Sequence, residues 1–383
     1  MIKKYCSLLG LAIVLASSCQ QSNTNQQTQS VDSTSNVATA AFDAAVDGKA
    51  VSLYKIGNEK VQVAITNYGA RLVNLVVKDK AGNPVDVILG YDTAEEFVKN
   101  TNNFYGAIVG RYGNRIGNAS FSLNGNTYAL EKNDNGNSLH GGTNGVYNRV
   151  WEVESSSDKS ITLAYTSPDG EAGYPGTVKM KVTYTVNDQG GLELSYEGET
   201  DKETVLNLTS HAYFNLNGEG DATILDHELW IDADHITEVN SSLIPTGKSV
   251  AVQGTAFDFK KAKLIGQDVD QQHPQLGYGK GYDHNFELTK KEGFAEVASL
   301  YAPKTGIEMK IFTTEPGLQF YSGNFMSDAD PKGKAGKGYP FRAALCLETQ
   351  HFPDAPNHAN FASTVLKPGE KYSTKTEYRF SVK

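Results

Sequence analysis

Alternation of apolar and polar residues is clearest between Val178 and Val186. Over these nine positions Val, Met, Val, Tyr and Val alternate with Lys, Lys, Thr and Thr. Because successive side chains of a β-strand point to opposite faces, this pattern predicts a strand with one buried face and one solvated face. The turn-forming sequence NDQGG follows at 187–191, and apolar residues return at 192–196. The two segments are therefore predicted to form a β-hairpin.

Shorter runs rich in Val, Ile, Leu and Tyr recur along the chain, separated by Gly, Asn, Asp and Pro. Runs punctuated in this way are typical of antiparallel strands joined by tight turns. Helix signals are few, and Asp92 with Glu95 three residues later predicts a capping box for one short helix. The further predicted strands are 61–66, 72–77, 85–89, 121–130 with a break at Asn124-Gly125, and 161–166.

Residues 42–383 show neither an internal repeat nor a linker rich in Gly, Ser or Pro. This continuous segment contains more short strands than a minimal β-sandwich needs, so we predict an all-β fold with few short helices. The expected architecture is one large antiparallel β-sandwich. The 37 Gly and 20 Tyr residues of the chain agree with strands and tight turns better than with a helical bundle.

The N-terminal residues have a different composition. A short positive region, Met1–Lys4, precedes a mostly apolar stretch at 5–16 and the small residues Ala16-Ser17-Ser18 before Cys19. This order predicts a signal peptide of lipoprotein type over residues 1–18, with Cys19 acylated. Plain secretion with cleavage near Ser18 is the alternative, and the apolar stretch is short for a transmembrane helix.

Residues 19–41 consist mainly of Gln, Ser, Thr and Asn, which predicts a flexible tether before a folded domain at 42–383. We expect the protein to be exported to the periplasm or outer membrane and attached only by a lipid anchor at Cys19. Of the three cysteines, Cys6 and Cys19 lie in or next to the leader. Cys346 is then alone in the predicted domain, which excludes a disulfide within it.

Charge argues against one class of partner. Lys and Arg total 35 against 44 Asp and Glu, so the net charge is −9, and no basic run follows residue 4. A nucleic acid needs a positive surface for its phosphates, so we do not expect one as a partner.

Five segments concentrate polar groups in strand-like or Gly-rich surroundings. Together they offer Arg, His, Asp and Glu side chains, which are the groups used for general acid/base catalysis and for binding hydroxyl-rich ligands. The segments are GRYGNRI at 110–116, SLHGG at 138–142, NLTSHAYFN at 207–215, YDHNF at 282–286 and LETQHFPD at 347–354.

Two residues in these segments are candidates for proton transfer. His211 follows the strand-like residues 205–209, where a side chain at a strand end can face a cleft. Glu348 follows the apolar residues 343–347, where a carboxylate is costly to bury unless it has a function. Burial there would raise the pKa of Glu348 and make it a better base near neutral pH. An ion pair between Glu348 and a neighbouring Arg is the alternative interpretation.

Motifs for several other chemistries are missing from the sequence. There is no helical His-x-x-x-His or Glu-x-x-His pair, so a zinc site built on one helix is not expected, although the scattered His140, His211, His284 and His351 leave a metal site open. Neither a Walker A loop nor a Gly-x-Ser-x-Gly elbow is present. Nucleotide-driven and serine-hydrolase chemistry are therefore disfavoured.

In their order and spacing, the five segments resemble the galactose mutarotases, or aldose 1-epimerases. The resemblance also includes QFYSGNF at 319–325 and extends from about Tyr68 to KPGE at 367–370. It implies the galactose mutarotase-like supersandwich fold and interconversion of the α and β anomers of free hexoses such as galactose and glucose. Alternatives are a glycoside hydrolase on a related sandwich, a non-catalytic sugar-binding lipoprotein, and a sugar-phosphate epimerase, which needs cations beyond Arg111 and Arg115.

The resemblance also implies roles for individual residues. His211 would protonate the sugar ring oxygen, and Glu348 would remove the proton of the C1 hydroxyl. This chemistry requires no cofactor; calcium is a candidate ion for exported relatives, but no ligand loop for it can be read. The expected partner is a small aldose, and the expected state is a monomer. The implied sugar-binding residues are Asn114, Arg115, His140, Tyr213, Asp283 and Gln319.

Overall fold

A computed structural model describes Met1 and residues 38–289 and 293–383. The predicted acylation site, Cys19, and residues 2–37 of the predicted leader and tether lie outside the described residues. The described residues from Ala38 onward belong to one compact unit, Thr34–Lys383. Near its start, a short 3-10 helix, Thr39–Phe42, ends on the fully buried Phe42. The domain limits stay predictions.

The fold is all-β, as predicted. Among the described residues, the largest sheet has nine strands, and every neighbouring pair is antiparallel. In spatial order these strands are Glu152–Ser156, Ser160–Ser167, Val178–Val186, Gly191–Thr200, Tyr372–Val382, Ile307–Thr313, Ala295–Ala302, Glu228–Ile231 and Lys263–Leu264.

Two smaller antiparallel sheets accompany it. The strands of the five-stranded sheet are, in spatial order, Pro245–Ala251, Ala233–Val239, Asp283–Leu288, Gly317–Tyr321 and Cys346–Gln350. Those of the four-stranded sheet are Leu53–Gly57, Val61–Thr66, Arg71–Lys78 and Pro84–Asp86.

The remaining elements are short. The two-stranded pairs are Ala44–Val46 with Lys49–Val51, Ile108–Val109 with Thr209–Ser210, Arg115–Ile116 with Ser138–Leu139, Ser120–Leu123 with Asn126–Ala129, and Thr204–Val205 with Val365–Leu366. The α-helices are Ala94–Lys99 and Pro274–Gly279. The further 3-10 helices are Thr101–Asn103, Gly117–Ala119, Val146–Asn148, Glu171–Gly173, Ile265–Gln267, Lys334–Gly336 and Ala355–Asn357. Within the described ranges, no helix has the length and apolar content needed to cross a membrane.

The hairpin predicted from the alternating pattern is confirmed. Its first strand is Val178–Val186, in which every second residue is buried, and Val186 pairs with Leu192 across the turn. The side-chain oxygen of Asn187 accepts the N–H groups of Gln189 and Gly191, which closes the turn.

Two local predictions are wrong. The capping box is formed by Thr93 and Glu96, one residue later than predicted, because the Thr93 hydroxyl accepts the Glu96 N–H and the Glu96 carboxylate accepts the Thr93 N–H. The strand predicted at 85–89 ends at Asp86. Beyond it, the chain turns to pair with the segment after His211, since the Leu89 N–H donates to the carbonyl of Tyr213.

One large apolar cluster joins the faces of the three main sheets, with Leu75, Val182 and Phe320 among its fully buried members. Each such side chain contributes roughly 1.5–3 kcal/mol relative to exposure. In the five-stranded sheet, the residues that alternate with these core positions point to the other face. That second face carries Asp283, Gln319 and Glu348, and it forms the floor of a cleft.

Candidate active site

A cleft with a cavity volume of about 510 Å³ brings most of the predicted site residues together. It is lined by seven of them: Asn114, Arg115, His140, His211, Tyr213, Asp283 and Glu348. Gln319 lies behind this lining, where its side-chain nitrogen donates to Oδ1 of Asp283 at 2.7 Å. Gln319 therefore acts on the cleft indirectly, because it orients the carboxylate of Asp283.

Strand register positions the carboxylates. Gln319 pairs with Glu348 on the neighbouring strand, and Asp283 pairs with Tyr321 on the other side of the same strand. Because the side-chain period is two, all four residues share the cleft face of the sheet. Glu348 lies in the middle of Cys346–Gln350 rather than after a strand, which corrects the predicted placement.

His211 directly follows the strand Thr209–Ser210, as predicted. Its backbone N–H donates to the carbonyl of Ala107 at 2.8 Å, and its carbonyl accepts the N–H of Gly106 at 3.0 Å. Three residues later, Phe214 and Leu345 exchange backbone hydrogen bonds in both directions. This pairing brings Nε2 of His211 to 3.8 Å from Oε2 of Glu348.

Burial shifts the pKa of both members of this pair. Desolvation lowers the pKa of His211, the charge of Arg71 lowers it further, and a hydrogen bond from the ring to the carbonyl of His211 itself opposes the shift. Desolvation raises the pKa of Glu348 well above its usual value, and Asp283 raises it further while Arg115 lowers it. The unliganded pair is therefore most stable as a neutral imidazole beside a protonated carboxyl.

Arg115 forms its ion pairs with Asp134 and Asp283. Its Nε donates to Oδ2 of Asp134 at 2.8 Å, and Nη1 lies 3.7 Å from Oδ2 of Asp283. The alternative interpretation of Glu348, a direct ion pair with Arg, does not hold in the described structure, where its ion-pair contact is His211. Sequence reasoning missed Asp134, although it lies only a few residues before the SLHGG segment.

His140 is fixed differently from His211. The backbone N–H of Asn114 donates to Nδ1 of His140 at 3.0 Å, and the His140 N–H donates back to the carbonyl of Asn114. Desolvation lowers the pKa of His140 well below its usual value, and His211 and Arg115 add to this shift. The ring is thus neutral, and since Nδ1 accepts a hydrogen bond, Nε2 carries the proton. His140 is a hydrogen-bond donor in the cleft.

His140, His211 and Glu348 also form the one described cluster whose ligand atoms lie close enough to share a metal ion. A calcium site takes six to eight oxygen ligands, whereas two of these three residues offer nitrogen. Zinc would suit His and Glu ligands, but a protonated Nε2 on His140 has no lone pair to donate. The residues present therefore do not fit a resident metal.

Three polar residues from the candidate segments support the fold instead of lining the cleft. The Arg111 guanidinium donates to Ser167 and to carbonyls that include Pro175 and Gly176. His284 accepts the Asp283 N–H and packs against Phe257, while His351 pairs with Glu315 at 2.7 Å. The added cation that a sugar-phosphate epimerase needs is therefore not supplied by Arg111.

The fold and the cleft define the class of protein: a galactose mutarotase-like β-sandwich whose cleft holds the buried His211 and Glu348 side by side. A GalM/aldose epimerase homologue from C. elegans has a TM-score of 0.81 and 33% identity, over 87% of this chain and 99% of that one. A galactose 1-epimerase from Lactobacillus acidophilus NCFM has a TM-score of 0.78 and 26% identity, over 88% and 97% of the two chains.

Sequence comparison identifies the family. The family model described as aldose 1-epimerase matches residues 52–379. Galactose mutarotase from Bos taurus is 40% identical over 91% of this chain and 99% of its own length, and aldose 1-epimerase from Escherichia coli K12 is 34% identical over 88% and 97%. The chain belongs to the aldose 1-epimerase family, which confirms the resemblance that its motifs indicated.

Proposed function

We propose that this protein interconverts the α and β anomers of free aldoses, such as the hexoses galactose and glucose, by acid/base ring opening and reclosure. One observation carries the proposal: Nε2 of His211 and Oε2 of Glu348 lie 3.8 Å apart in the cleft. Oε2 of Glu348 makes no hydrogen bond within the described residues, so it is free to accept one from a sugar hydroxyl.

Ring opening of a hemiacetal needs one proton added to the ring oxygen and one removed from the C1 hydroxyl. Protonated His211 gives a proton from Nε2 to the ring oxygen while the Glu348 carboxylate takes the C1 proton. The pair holds one proton before this step and one after it. Rotation about the C1–C2 bond then presents the other carbonyl face, and the same transfers in reverse close the ring as the other anomer.

The shifted pKa values suit this exchange. Burial favours neutral His211 beside protonated Glu348, which is the state of the pair when the open-chain sugar is present. The same burial makes protonated His211 a stronger acid and ionised Glu348 a stronger base, so both transfers of the ring-opening step are favoured once the pair is ionised. The cost is that the ionised pair is less stable than the neutral one. A group with an unshifted pKa would give up or accept its proton less readily.

The other cleft residues bind the sugar in this proposal. His140 donates from Nε2 to a hydroxyl or to the ring oxygen, and Asp283, oriented by Gln319, accepts from hydroxyls. Arg115 stabilises negative charge that develops on the sugar. Asn114 and Tyr213 complete the walls of the cleft.

Polarimetry with freshly dissolved α-anomers of galactose, glucose, xylose and arabinose tests the activity and ranks the substrates. Faster decay of optical rotation with the protein than without it is the expected result. A glycoside hydrolase would release sugar from glycosides, and a non-catalytic binding protein would leave the decay rate unchanged while still binding sugar. Either result would overturn the proposal.

We propose further that the protein is exported and lipid-anchored, and that it acts as a monomer. The composition of residues 1–19 supports the anchor. Expressed in full, wild-type protein should fractionate with membranes and incorporate labelled fatty acid, while Cys19→Ala should do neither. Fatty-acid labelling that survives in Cys19→Ala would contradict the lipid anchor at Cys19. Sedimentation of the domain released from the membrane tests whether the protein is a monomer.

A further inference from the structure

Cys346 contacts the residue that exchanges the proton. It begins the strand Cys346–Gln350, two residues before Glu348, so both side chains lie on the cleft face of the sheet. Its side chain is fully buried, and Sγ lies 3.5 Å from Nδ1 of His211. The mechanism proposed above gives this thiol no role.

The faces of the His211 ring offer no hydrogen bond. Tyr213 stacks on the ring with centroids 5.0 Å apart, and Phe104 lies 5.6 Å away at an angle of 33°. The partners of the two nitrogens therefore decide which one carries the proton of the neutral ring. Nε2 faces Glu348, whereas Nδ1 faces Sγ of Cys346 and, being the nitrogen nearer the backbone, is also the one that can reach the carbonyl of His211.

Ring opening requires a particular tautomer. After His211 has given its Nε2 proton to the sugar, the ring must keep its other proton on Nδ1, so that Nε2 can take a proton back on reclosure. A neutral ring protonated at Nε2 could donate a hydrogen bond but could not accept that proton. His140 shows this contrast within the same cleft, because an N–H donor occupies its Nδ1.

We propose that Cys346 is a positioning residue: its sulfur accepts a hydrogen bond from Nδ1–H of His211 and thereby keeps Nε2 as the nitrogen that exchanges a proton with the sugar. This inference rests on the proposed function of His211. Desolvation raises the pKa of the Cys346 thiol well above its usual value, so the partner of Nδ1 is uncharged.

An uncharged partner suits a reaction that runs in both directions. A carboxylate at this position would stabilise protonated His211 and make it a weaker acid. The thiol is a weak acceptor that orients the ring with little effect on its charge. Cys346 is fully buried in a cluster that includes Tyr105, Tyr213 and Tyr321, so water does not compete for its sulfur.

The test combines kinetics with the tautomer of His211, using the full-length chain. Cys346→Ala and Cys346→Val remove the sulfur acceptor and leave the carbonyl of His211 as the remaining acceptor for Nδ1–H. Val is larger than Cys and so leaves no cavity, whereas Cys346→Ser retains a side-chain acceptor. Ala and Val should lower kcat by about 3- to 10-fold with little change in KM, the size expected for one hydrogen bond, while Ser keeps kcat within about twofold of wild type.

NMR with ¹⁵N-labelled histidine reports the tautomer directly, and a His211→Asn spectrum assigns the signals. Wild type and Cys346→Ser should carry the proton on Nδ1, whereas Ala and Val should shift part of it to Nε2. A wild-type ring protonated at Nε2 would overturn the proposal even if no variant folds. So would Ala and Val variants with wild-type kcat and tautomer, or a Ser variant as impaired as Ala.

The two proposals fail separately. If wild-type protein does not accelerate mutarotation, the proposed function is wrong, but the tautomers of the wild type and its variants still decide whether Cys346 holds Nδ1. If mutarotation is fast and depends on His211 while the Cys346 variants match wild type in both readouts, only the role of Cys346 is rejected.

Discussion

Nε2 of His211 lies 3.8 Å from Oε2 of Glu348, and both side chains are almost completely buried. Burial lowers the pKa of the imidazole and raises that of the carboxyl. A pair shifted in this way exchanges a single proton, which is what reversible opening of a sugar ring requires.

Removing either member of the pair should abolish most of the activity. We expect His211→Ala and Glu348→Gln each to lower the mutarotation rate by roughly 10² or more, because each removes one of two proton transfers. Polarimetry measures the rate, and circular dichroism checks the fold. His235→Ala and Glu152→Gln alter exposed residues and serve as matched controls. A folded variant that retains a tenth of the wild-type rate would contradict the assignment.

Glu348→Gln should be more stable than wild type at neutral pH although it is inactive. The folded-state pKa of Glu348 is raised, so its contribution to stability is fully present below the unfolded pKa and is lost as pH rises through the folded pKa. The loss amounts to about 1.4 kcal/mol for each pH unit between the two pKa values. Denaturant unfolding at pH 4 and pH 8 measures it.

The stability gain of Glu348→Gln over wild type should therefore be larger at pH 8 than at pH 4. Exposed Glu152→Gln should show no such difference between the two pH values. An equal gain, or an equal loss, at both pH values would mean that the pKa of Glu348 in the folded state is not above its pKa in the unfolded state.

Asp283→Asn should move the alkaline limit of activity to lower pH. The negative charge of Asp283 raises the pKa of Glu348, so removing that charge lets the pair lose its proton sooner as pH rises. The pH profile of kcat/KM reports this for the free enzyme, even where the variant is slower. Asp188→Asn, on the exposed hairpin turn, should leave the limit in place. A shift to higher pH would refute the coupling.

Gly141→Ala should distort the backbone that positions His140. A Cβ at this position would clash with the carbonyl oxygen of Gly110, and φ is +86°. Gly136 has a similar φ of +89° but open space around it, so Gly136→Ala isolates the backbone strain. We expect Gly141→Ala to be less stable than Gly136→Ala by ~1–3 kcal/mol. Equal stability in chemical denaturation would show that the close approach is relieved at little cost.

Chelation should not change the rate. In the proposed mechanism His211 and Glu348 carry out both proton transfers, and the Nε2 proton of His140 opposes metal binding by the cluster. Dialysis against EDTA should leave the mutarotation rate unaltered. Loss of activity that calcium or zinc restores would show that a metal contributes after all.

Local sequence predicted much of the fold because a strand's two faces are encoded within the strand itself. The alternation at Val178–Val186 specified its bounds, and the strand Val61–Thr66 also matches its prediction. The prediction failed at 85–89, where pairing with the chain near Tyr213 replaces the continuing strand. The pairing segment lies far away in sequence, so the local pattern of apolar and polar residues does not reveal it.

The sequence by itself determined the all-β class and the family, and it named the residues that we propose carry the chemistry, since motifs and strand periodicity are properties of short segments. Only the tertiary structure decided how these residues act together. The contact between His211 and Glu348, the pairing of Arg115 with Asp134, the tautomer of His140 and the position of Cys346 beside Nδ1 depend on pairing between distant segments. Distances between atoms on separate strands are set by that pairing and by packing, which no single segment encodes.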